Sequence, residues 1–392
     1  MNIVRPTLPP ACRIICTSDI HAYLDDFKAL LEECEYDSES DYLFILGDII
    51  EKGPHSIDTL NYVQELCQNP NVQFIQGNHD AKLCQLAYTD DQADFLAFMR
   101  SSPDNTFMQM AETLGITDFT ENFEQKRQKV IEAYKSQIDF IQNAPLAIEI
   151  PRFIFVHAGI ESRPDWENTA PRIALSLYPF MYYGHQQQKI VVCGHCPTYN
   201  LQNSNNTNLP VYDKEKRILD IDGGMGTNSA MQLNAMIITL DGDRCKFRTL
   251  FHPHGEEVII VTDAPTEKRP KFADRDKHRI SVTEDCGEFL LVRNTVTGDT
   301  GLIPEAFTRE ADGLYPRIYL DAFLSVKAGE KFYISHETEN HLFGIAQNGK
   351  VGFIPKSALI PPPEEENGED SEEENEEASS EEENEEKANS EE

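Results

Sequence analysis

The sequence predicts an α/β domain followed by small all-β units. Up to about residue 250, short apolar runs of strand length alternate with stretches whose apolar residues recur at helical spacing. Beyond Phe251, short β-rich runs separated by Gly, Asp and Asn replace the helical pattern. The order strand, helix, strand at the start of the chain is typical of βαβ units. We therefore expect a sheet covered by helices, and then a part of the chain without long helices.

Apolar runs between polar segments predict the strands of the α/β domain. The predicted strands are 13–16, 42–46, 72–75, 153–156, 189–193, 218–221 and 235–240. Two amphipathic stretches between the first three strands, 24–35 and 56–67, predict helices. Residues 81–143 interrupt this rhythm with a long helical pattern. We expect them to form a helical insertion that lies over one side of the sheet.

Two similar endings mark the β-rich part of the chain. The sequence Gly-Leu-Ile-Pro-Glu-Ala-Phe ends one β-rich stretch, and Gly-Phe-Ile-Pro-Lys-Ser-Ala ends the next. The simplest interpretation is a tandem of two small barrels, residues 255–308 and 313–360, and a single barrel with a decorated linker is the alternative. The last segment, 364–392, has 17 acidic residues and one lysine. Such a segment cannot bury enough apolar surface to offset its chain entropy, so we expect a disordered acidic tail.

Charge, hydropathy and cysteine content exclude several classes of protein. The formal net charge is −34, which repels the phosphate backbone of nucleic acids, so we expect no nucleic-acid partner. No run of about 18 apolar residues occurs, which predicts that the chain does not cross a membrane. The nine cysteines are odd in number and scattered. This pattern favours reduced thiols and a cytoplasmic location over a disulfide framework.

Five short segments with metal-binding or proton-transfer side chains each follow a predicted strand. Their candidate residues are Asp19, His21, Asp48, Asn78, His79, His157 and His195. Loops at the carboxyl ends of strands meet in one crevice of an open α/β sheet, so these segments can form one site. Each residue also has a structural interpretation, because Asp and Asn are common in turns and a histidine at a strand end is often a core residue. The occurrence of all five segments in one order favours a shared site.

The residue types suit two divalent cations. Asp19 and His21 are two positions apart in an extended segment, so both can point to the same side and hold one cation. Asp48 has two carboxylate oxygens and can bridge two cations. The second site is completed by Asn78, His157 and His195. Oxygen and nitrogen donors without a thiolate favour manganese, iron or zinc over calcium. Two such cations about 3.5–4 Å apart activate water for in-line attack on a phosphoryl group.

The order Asp-x-His, Gly-Asp, Gly-Asn-His-Asp, His-Ala-Gly and Gly-His resembles the motifs of the calcineurin-like metallophosphoesterases, especially the phosphoprotein-phosphatase branch. The resemblance covers about residues 12–250, and we place the catalytic domain at 12–252. It implies a four-layer α/β/β/α sandwich and a two-metal site bridged by Asp48. It also implies that His79 is the general acid for the leaving oxygen and that Glu51 orients His79.

Two positions depart from the family pattern. Lys52 stands where the family usually has arginine, which keeps the charge but loses bidentate contact with phosphate. Ala22 stands where glycine is usual, so we expect the backbone there to differ. The resemblance also implies a phosphate-binding arginine between the last two motifs. Arg163 and Arg172 both lie there, and we favour Arg172.

The resemblance implies a metal-dependent phosphoesterase that hydrolyses phosphomonoesters, and we expect a protein serine/threonine phosphatase. A symmetrical bis(5'-nucleosyl)-tetraphosphatase is the alternative, so the substrate is a phosphoprotein or a nucleotide. Two other interpretations stay open. The sequence Cys-Gly-His-Cys at 193–196 is the motif of disulfide isomerases, although Pro197 follows directly. The β-rich units and the acidic tail are also parts that a scaffold protein would use.

The second β-rich unit resembles a Src-homology-3 domain. Residues 324–360 follow that pattern up to the Ile-Pro-x-x-x-Leu-type ending. Leu342 takes the place of the tryptophan that stacks on prolines in the usual peptide groove. We therefore expect this unit to pack on the catalytic domain or to bind a protein partner through another face.

Overall fold

The computed structural model describes residues 1–201, 206–265, 278–316 and 322–361. Its helices in chain order are α1 Leu24–Glu33, α2 Ser56–Leu66, α3 Asn78–Tyr88, α4 Gln92–Ser101, α5 Thr106–Thr113, α6 Phe123–Ala133, α7 Lys135–Gln142, α8 Pro171–Ser176 and α9 Phe180–Tyr183. Its first strands are β1 Ile3–Val4, β2 Ala11–Thr17, β3 Asp41–Ile45, β4 Val72–Phe74, β5 Ala147–Glu149, β6 Phe153–Val156, β7 Ile190–Cys193, β8 Val211–Asp213, β9 Ile218–Asp220, β10 Gln232–Asp241 and β11 Arg244–Pro253. The remaining strands are β12 Glu256–Ile259, β13 Ile280–Asp285, β14 Phe289–Asn294, β15 Thr300–Pro304, β16 Thr308–Glu310, β17 Leu314–Pro316, β18 Lys331–Glu337, β19 His341–Ala346 and β20 Val351–Pro355.

Two sheets form the centre of the N-terminal part. One sheet has the order β11-β10-β2-β3-β4, and the other has the order β1-β5-β6-β7-β9-β8. Strands β2, β3 and β4 are mutually parallel, and so are β6, β7 and β9. Each parallel group therefore delivers the loops that follow its strands to a single edge of its sheet.

Alternating side chains of the strands build the layers. In β2, Ile15 joins the apolar core beneath helices α1 to α7, while Ile14 and Cys16 join the core between the two sheets. Phe44 of the first sheet meets Phe155 of the second with ring centroids 5.1 Å apart. Helices α8 and α9 cover the outer face of the second sheet. This arrangement confirms the predicted α/β/β/α sandwich with a helical insertion.

The predicted strands and the first two helices are confirmed to within a few residues. The sequence interpretation missed β1, β5 and β8, which are two or three residues long and too short to show a period. It also missed β11, whose alternation of charged and apolar residues is a strand signal. The helical insertion begins earlier than the predicted residue 81, because α3 starts at Asn78.

The C-terminal strands pair differently from the predicted division into 255–308 and 313–360. Strand β12 pairs with β18, with Glu256 opposite Ile334, and β17 pairs with β13 and β16. The two resulting sheets share one apolar core that contains Phe289, Phe307, Phe343 and Phe353. Rings from the two sheets contact each other, with centroids 5.4 Å apart for Phe289 and Phe353 and 5.1 Å apart for Phe307 and Phe343. The Src-homology-3 likeness stays a prediction.

Two further expectations concern the acidic segment and membrane-spanning helices. The acidic segment 364–392, predicted to be disordered, lies outside the described residues. In the described part of the chain, every helix is too short or too polar to cross a lipid bilayer.

His254 links the end of the first sheet to α1. Its Nδ1 lies 2.9 Å from Asp26 Oδ1, and this carboxylate raises the pKa of His254 above its ordinary value. Because the folded pKa exceeds the unfolded one, the pair stabilises the fold fully below about pH 6.5, and the stabilisation is lost as the pH rises through the folded pKa.

We therefore expect His254→Gln to lower the free energy of unfolding by about 0.5–1 kcal/mol near pH 5.5, where partial exposure screens the pair. Near pH 9 we expect almost no effect, since the wild-type imidazole is already neutral there. Urea unfolding at the two pH values checks this expectation. An equal loss at both would show that packing, and not charge, gives His254 its role.

Candidate metal centre

The functional candidates lie where the parallel strands end. Asp19 follows β2, Asp48 follows β3, and Asn78 follows β4 and begins α3. On the second sheet, His157 follows β6 and His195 follows β7. The two edges face each other across the sandwich, so residues far apart in sequence form one cluster.

The backbone of the cluster adopts an uncommon conformation. Left-handed φ values occur at Asp19 (54°), His21 (47°), Asp48 (53°) and His195 (66°). Such conformations cost about 1–3 kcal/mol each for residues other than glycine and concentrate at functional sites. Ala22 also has a positive φ, of 63°. The alanine therefore keeps the conformation that a glycine adopts freely, at a cost in strain.

Two glycines allow the close approach of the segments. A side chain on Gly77 would overlap the Asp48 carboxylate, and one on Gly194 would overlap the Asp19 carboxylate. The Gly-Asn-His-Asp and Gly-His motifs thus need glycine because a neighbouring carboxylate occupies the space of the side chain.

Two groups of potential metal ligands share one carboxylate. The first group is Asp19, His21 and Asp48, and the second is Asp48, His157 and His195. Within each group the ligand atoms lie within 4.8 Å of one another. Asp48 Oδ2 lies 3.7 Å from His21 Nε2 and 3.5 Å from His157 Nε2. A carboxylate between two imidazoles is the arrangement expected of a ligand that bridges two cations.

Hydrogen bonds from behind fix the orientation of two histidines. His157 Nδ1 lies 2.8 Å from the Leu46 carbonyl, and His21 Nδ1 lies 3.2 Å from the Ile50 carbonyl. Each bond places a proton on Nδ1 and leaves Nε2 with its lone pair toward the carboxylates, as metal-binding histidines require. Asn78 Oδ1 lies 2.9 Å from His157 Nε2, which brings the amide into the second group.

The buried charges of the cluster call for cations. Asp19 and Asp48 are 2 % and 1 % exposed. Burial, and then the charge of Asp19, raises the pKa of Asp48 well above its ordinary value. Two buried carboxylates this close are unfavourable as anions unless positive charge compensates them. The donor set is oxygen and nitrogen without thiolate, so its chemistry fits two divalent metal ions such as manganese, iron or zinc.

The Asp80 carboxylate holds the backbone of the segments that carry Asp48 and Asn78, a role that the sequence interpretation missed. Its carboxylate accepts hydrogen bonds from the backbone N–H groups of Gly77, Asp48 and Ile49 at 2.7–3.0 Å. Burial raises the pKa of Asp80 to about 7. Its position as the last residue of Gly-Asn-His-Asp, in the first turn of α3, was the available signal.

His79 and Glu51 do not form the expected pair in the described contacts. The His79 backbone N–H donates to Asp48 Oδ1 at 2.8 Å, and its ring packs edge-on against His21. Burial, followed by the charge of Lys52, lowers the pKa of His79 to about 3. The Glu51 carboxylate instead accepts from the Thr106 N–H at 2.9 Å. Glu51 therefore holds the start of α5 against the site.

The three basic candidates have different surroundings. Lys52 Nζ lies 2.8 Å from His21 Nε2, the nitrogen that would ligate a cation, so the ammonium group would have to move aside if His21 bound a metal. Arg163 is engaged by Asp165, with two distances of 2.9 Å. Arg172 is exposed at the start of α8, and the described contacts do not join it to the cluster.

Two further residues border the cluster and were missed. Asp222, directly after β9, is 3 % exposed, and burial followed by the charge of Asp19 raises its pKa well above its ordinary value. The Tyr178 ring stands edge-on to His195 with centroids 6.0 Å apart, and the residue is 48 % exposed. The sequence Asp-Gly-Gly directly after the predicted strand 218–221 was a signal for Asp222. Nothing in the local sequence distinguishes Tyr178 from other tyrosines.

A cavity of about 370 Å³ opens beside the cluster. One wall is formed by Glu51, Lys52, Asn78 and His79. The helical insertion supplies the other wall, with Lys82, Phe98 and residues 102–105. Lys82 Nζ lies 4.4 Å from the Phe98 ring centroid. The cavity therefore combines two ammonium groups and an aromatic face next to the candidate metal ligands.

The Cys-Gly-His-Cys segment does not have the properties of a redox site. Cys193 lies in β7 and is fully buried, and Cys196 is 2 % exposed. Burial raises the pKa of both thiols above its ordinary value. A reactive thiol needs a lowered pKa and access to solvent, so these cysteines are core residues.

Comparison with known proteins decides the family. The family model described as calcineurin-like phosphoesterase matches residues 12–223, more than half of the chain. The chain belongs to the calcineurin-like phosphoesterases. The match includes every candidate metal ligand of this phosphoesterase and ends before the C-terminal sheets.

Curated relatives of this phosphoesterase include symmetrical bis(5'-nucleosyl)-tetraphosphatases. The protein of Vibrio vulnificus (strain CMCP6) is 24 % identical over 199 residues, which cover 50 % of this chain and 61 % of the relative. The protein of Psychromonas ingrahamii is 33 % identical over 89 residues, which cover 22 % of this chain and 32 % of the relative. The chain thus spans less than two thirds of the length of these relatives.

Solved structures similar to this phosphoesterase include a metallophosphoesterase from Sphaerobacter thermophilus and a protein serine/threonine phosphatase from Saccharomyces cerevisiae. The first is 18 % identical with a TM-score of 0.35, and the match covers 61 % of this chain and 88 % of the other chain. The second is 12 % identical with a TM-score of 0.38, and the match covers 64 % of this chain and 82 % of the other chain.

Proposed function

We propose that the cluster binds two divalent cations and hydrolyses phosphoric esters. The observation that carries this proposal is Asp48, whose Oδ2 lies between His21 Nε2 at 3.7 Å and His157 Nε2 at 3.5 Å. Asp19 and His21 would hold one cation with Asp48. The other cation would be held by Asp48, Asn78, His157 and His195. Two cations bound in this way supply an activated water and neutralise phosphoryl oxygens during in-line attack.

The neighbouring residues would bind the substrate and transfer a proton. Lys52 reaches the cluster and the cavity, so its ammonium group suits a phosphoryl oxygen. The His79 imidazole, which also lines the cavity, is placed to protonate the leaving oxygen. Because burial makes the neutral ring the resting form, the negative charge of a bound phosphate would favour its protonation. Arg172 stays a candidate for phosphate binding when the substrate extends toward α8.

Dinucleoside polyphosphates are the substrate class that we propose first. The curated relatives named above are symmetrical bis(5'-nucleosyl)-tetraphosphatases. The cavity of this chain offers Lys52 and Lys82 for additional phosphates and the Phe98 ring for a flat base. This order reverses the expectation from the motifs alone, in which protein phosphoserine or phosphothreonine came first. A protein serine/threonine phosphatase is the second candidate, because the motif set is shared with that branch.

We expect kcat/KM for diadenosine tetraphosphate to exceed that for a phosphoserine peptide by about ten-fold or more with manganese, which corresponds to about 1.4 kcal/mol of transition-state binding. Phe98→Leu should lower kcat/KM for the dinucleotide by about five-fold or more and leave the peptide unaffected, because only the base stacks on the ring. Steady-state kinetics on both substrates check these expectations. A ten-fold preference for the peptide would restore the protein phosphatase to first place.

A further inference from the structure

The C-terminal sheets contact the catalytic part at the turn between β19 and β20. The Val351 N–H donates to the Asn206 carbonyl at 2.9 Å, and Thr207 Oγ1 donates to the Gly349 carbonyl at 2.8 Å. The Leu209 side chain packs so closely on Gly349 that a Cβ there would lie 2.9 Å from it. Segment 206–209 is thus fixed by the C-terminal part through hydrogen bonds and close packing.

The same segment supports the loop that carries His195. Asn208 is fully buried, and its carbonyl accepts from Thr198 Oγ1 at 2.9 Å. Thr198 lies three residues after His195, and its N–H donates to the Asp222 carbonyl at 3.0 Å. The His195 N–H donates in turn to Asp19 Oδ2 at 3.0 Å. A short series of contacts therefore runs from the β19–β20 turn to the candidate metal ligands.

A second connection reaches the other side of the cluster. Ala230 is buried in the core of the C-terminal sheets, and its carbonyl accepts from Asn208 Nδ2 at 2.6 Å. Gly226, in the same loop, lies against Lys52 and His21. A Cβ atom on Gly226 would lie 2.9 Å from the Lys52 Cβ and 3.4 Å from the His21 Cβ. The C-terminal part thus supports elements next to both ligand groups.

We infer that the C-terminal sheets are a positioning element of the metal centre. The β19–β20 turn holds segment 206–209, which sets the place of Thr198 and, through it, of His195. This inference rests on the proposed metal binding and extends it to residues beyond the part that matches the family model. Thr207 is a positioning residue, since it contacts neither the candidate ligands nor the cavity in the described contacts.

The test uses the full-length protein with three substitutions. Thr207→Val removes the bond to the Gly349 carbonyl and the bond that Thr207 Oγ1 accepts from the Leu209 N–H at 3.1 Å, and Thr207→Ser restores a hydroxyl that can make both. Thr262→Val is the matched control, because Thr262 Oγ1 donates to the Ile360 carbonyl within the C-terminal part, away from the cluster. Manganese affinity is measured by calorimetry. Amide hydrogen exchange of residues 194–200 is measured on the metal-free protein.

We expect Thr207→Val to weaken manganese binding by about three- to ten-fold, because part of the free energy of the two lost hydrogen bonds reaches the site, and to speed exchange at 194–200 by a similar factor. Thr207→Ser and Thr262→Val should behave as the wild type in both measurements. Wild-type affinity or unchanged exchange in Thr207→Val would overturn the inference, and so would an equal loss in Thr262→Val. If the wild type itself binds no manganese, the proposed function fails, whereas the exchange data still report whether the turn supports the loop.

Discussion

Asp48→Asn is expected to weaken both metal sites at once. Its carboxylate is shared by the two ligand groups, and asparagine offers one neutral oxygen in place of two charged ones. Substitutions behind metal ligands already cost about 10–100-fold in affinity, so we expect more than about 100-fold for a shared ligand. Activity on an aryl phosphate should fall below about a thousandth of the wild-type value, and a chelator should abolish wild-type activity.

Asp41→Asn is the matched control for this substitution. Asp41 is also a buried carboxylate of β3, but it lies at the opposite end of the strand and binds Arg13. The control should lose stability and keep both metals. Calorimetric titration with manganese measures the number of sites and their affinities in both variants. Two sites of wild-type affinity in Asp48→Asn would refute the assignment of Asp48 as the shared ligand.

His79→Asn is expected to keep metal binding and lose proton transfer. The His79 contact with Asp48 uses the backbone N–H, so the substitution preserves it. We expect kcat to fall by about 10²–10⁴-fold for an alkyl phosphate, whose leaving oxygen needs a proton. For a nitrophenyl phosphate the loss should be much smaller, because that leaving group departs without one.

The ratio of the two losses is therefore the decisive quantity for His79. His185→Asn serves as the control, since His185 is half-buried beside the Arg217 carbonyl and lies outside the cluster. It should change neither rate. Equal losses on both substrates in His79→Asn would indicate that the ring positions the substrate and does not donate a proton.

The strand ends explain why the site was visible in the sequence. Parallel strands must deliver their following loops to one edge, so Asp19, Asp48 and Asn78 were expected to meet, and they do. The contact of Glu51 with Thr106 was not predictable, because it depends on how the insertion folds back over the sheet. Tyr178 could not be predicted for a similar reason, because its position beside the site depends on its contact with His195 in the folded chain.

The C-terminal part shows a second limit of sequence patterns. Each of the repeated Ile-Pro pairs lies at the end of a strand, β15 or β20, as the β-rich pattern predicted, while the division into two separate units stays a prediction. The pattern could not assign β12 and β17 to a sheet, since strands of three or four residues carry little information about their partners. The core of Phe289, Phe307, Phe343 and Phe353 joins residues of both β-rich stretches, which the local pattern of either stretch does not indicate.

The order in which the chain leaves the ribosome has a consequence for this site. Strand β2, which leads to Asp19, has β10 as its partner on one side, more than two hundred residues later. The support of the His195 loop comes later still, with Val351. An emerging chain therefore exposes half of the candidate metal site, Asp19, His21 and Asp48, before His157 and His195 have been synthesised. Folding of the first strands during synthesis cannot by itself produce the complete candidate centre, because His157, His195 and the segment that supports the His195 loop are synthesised later.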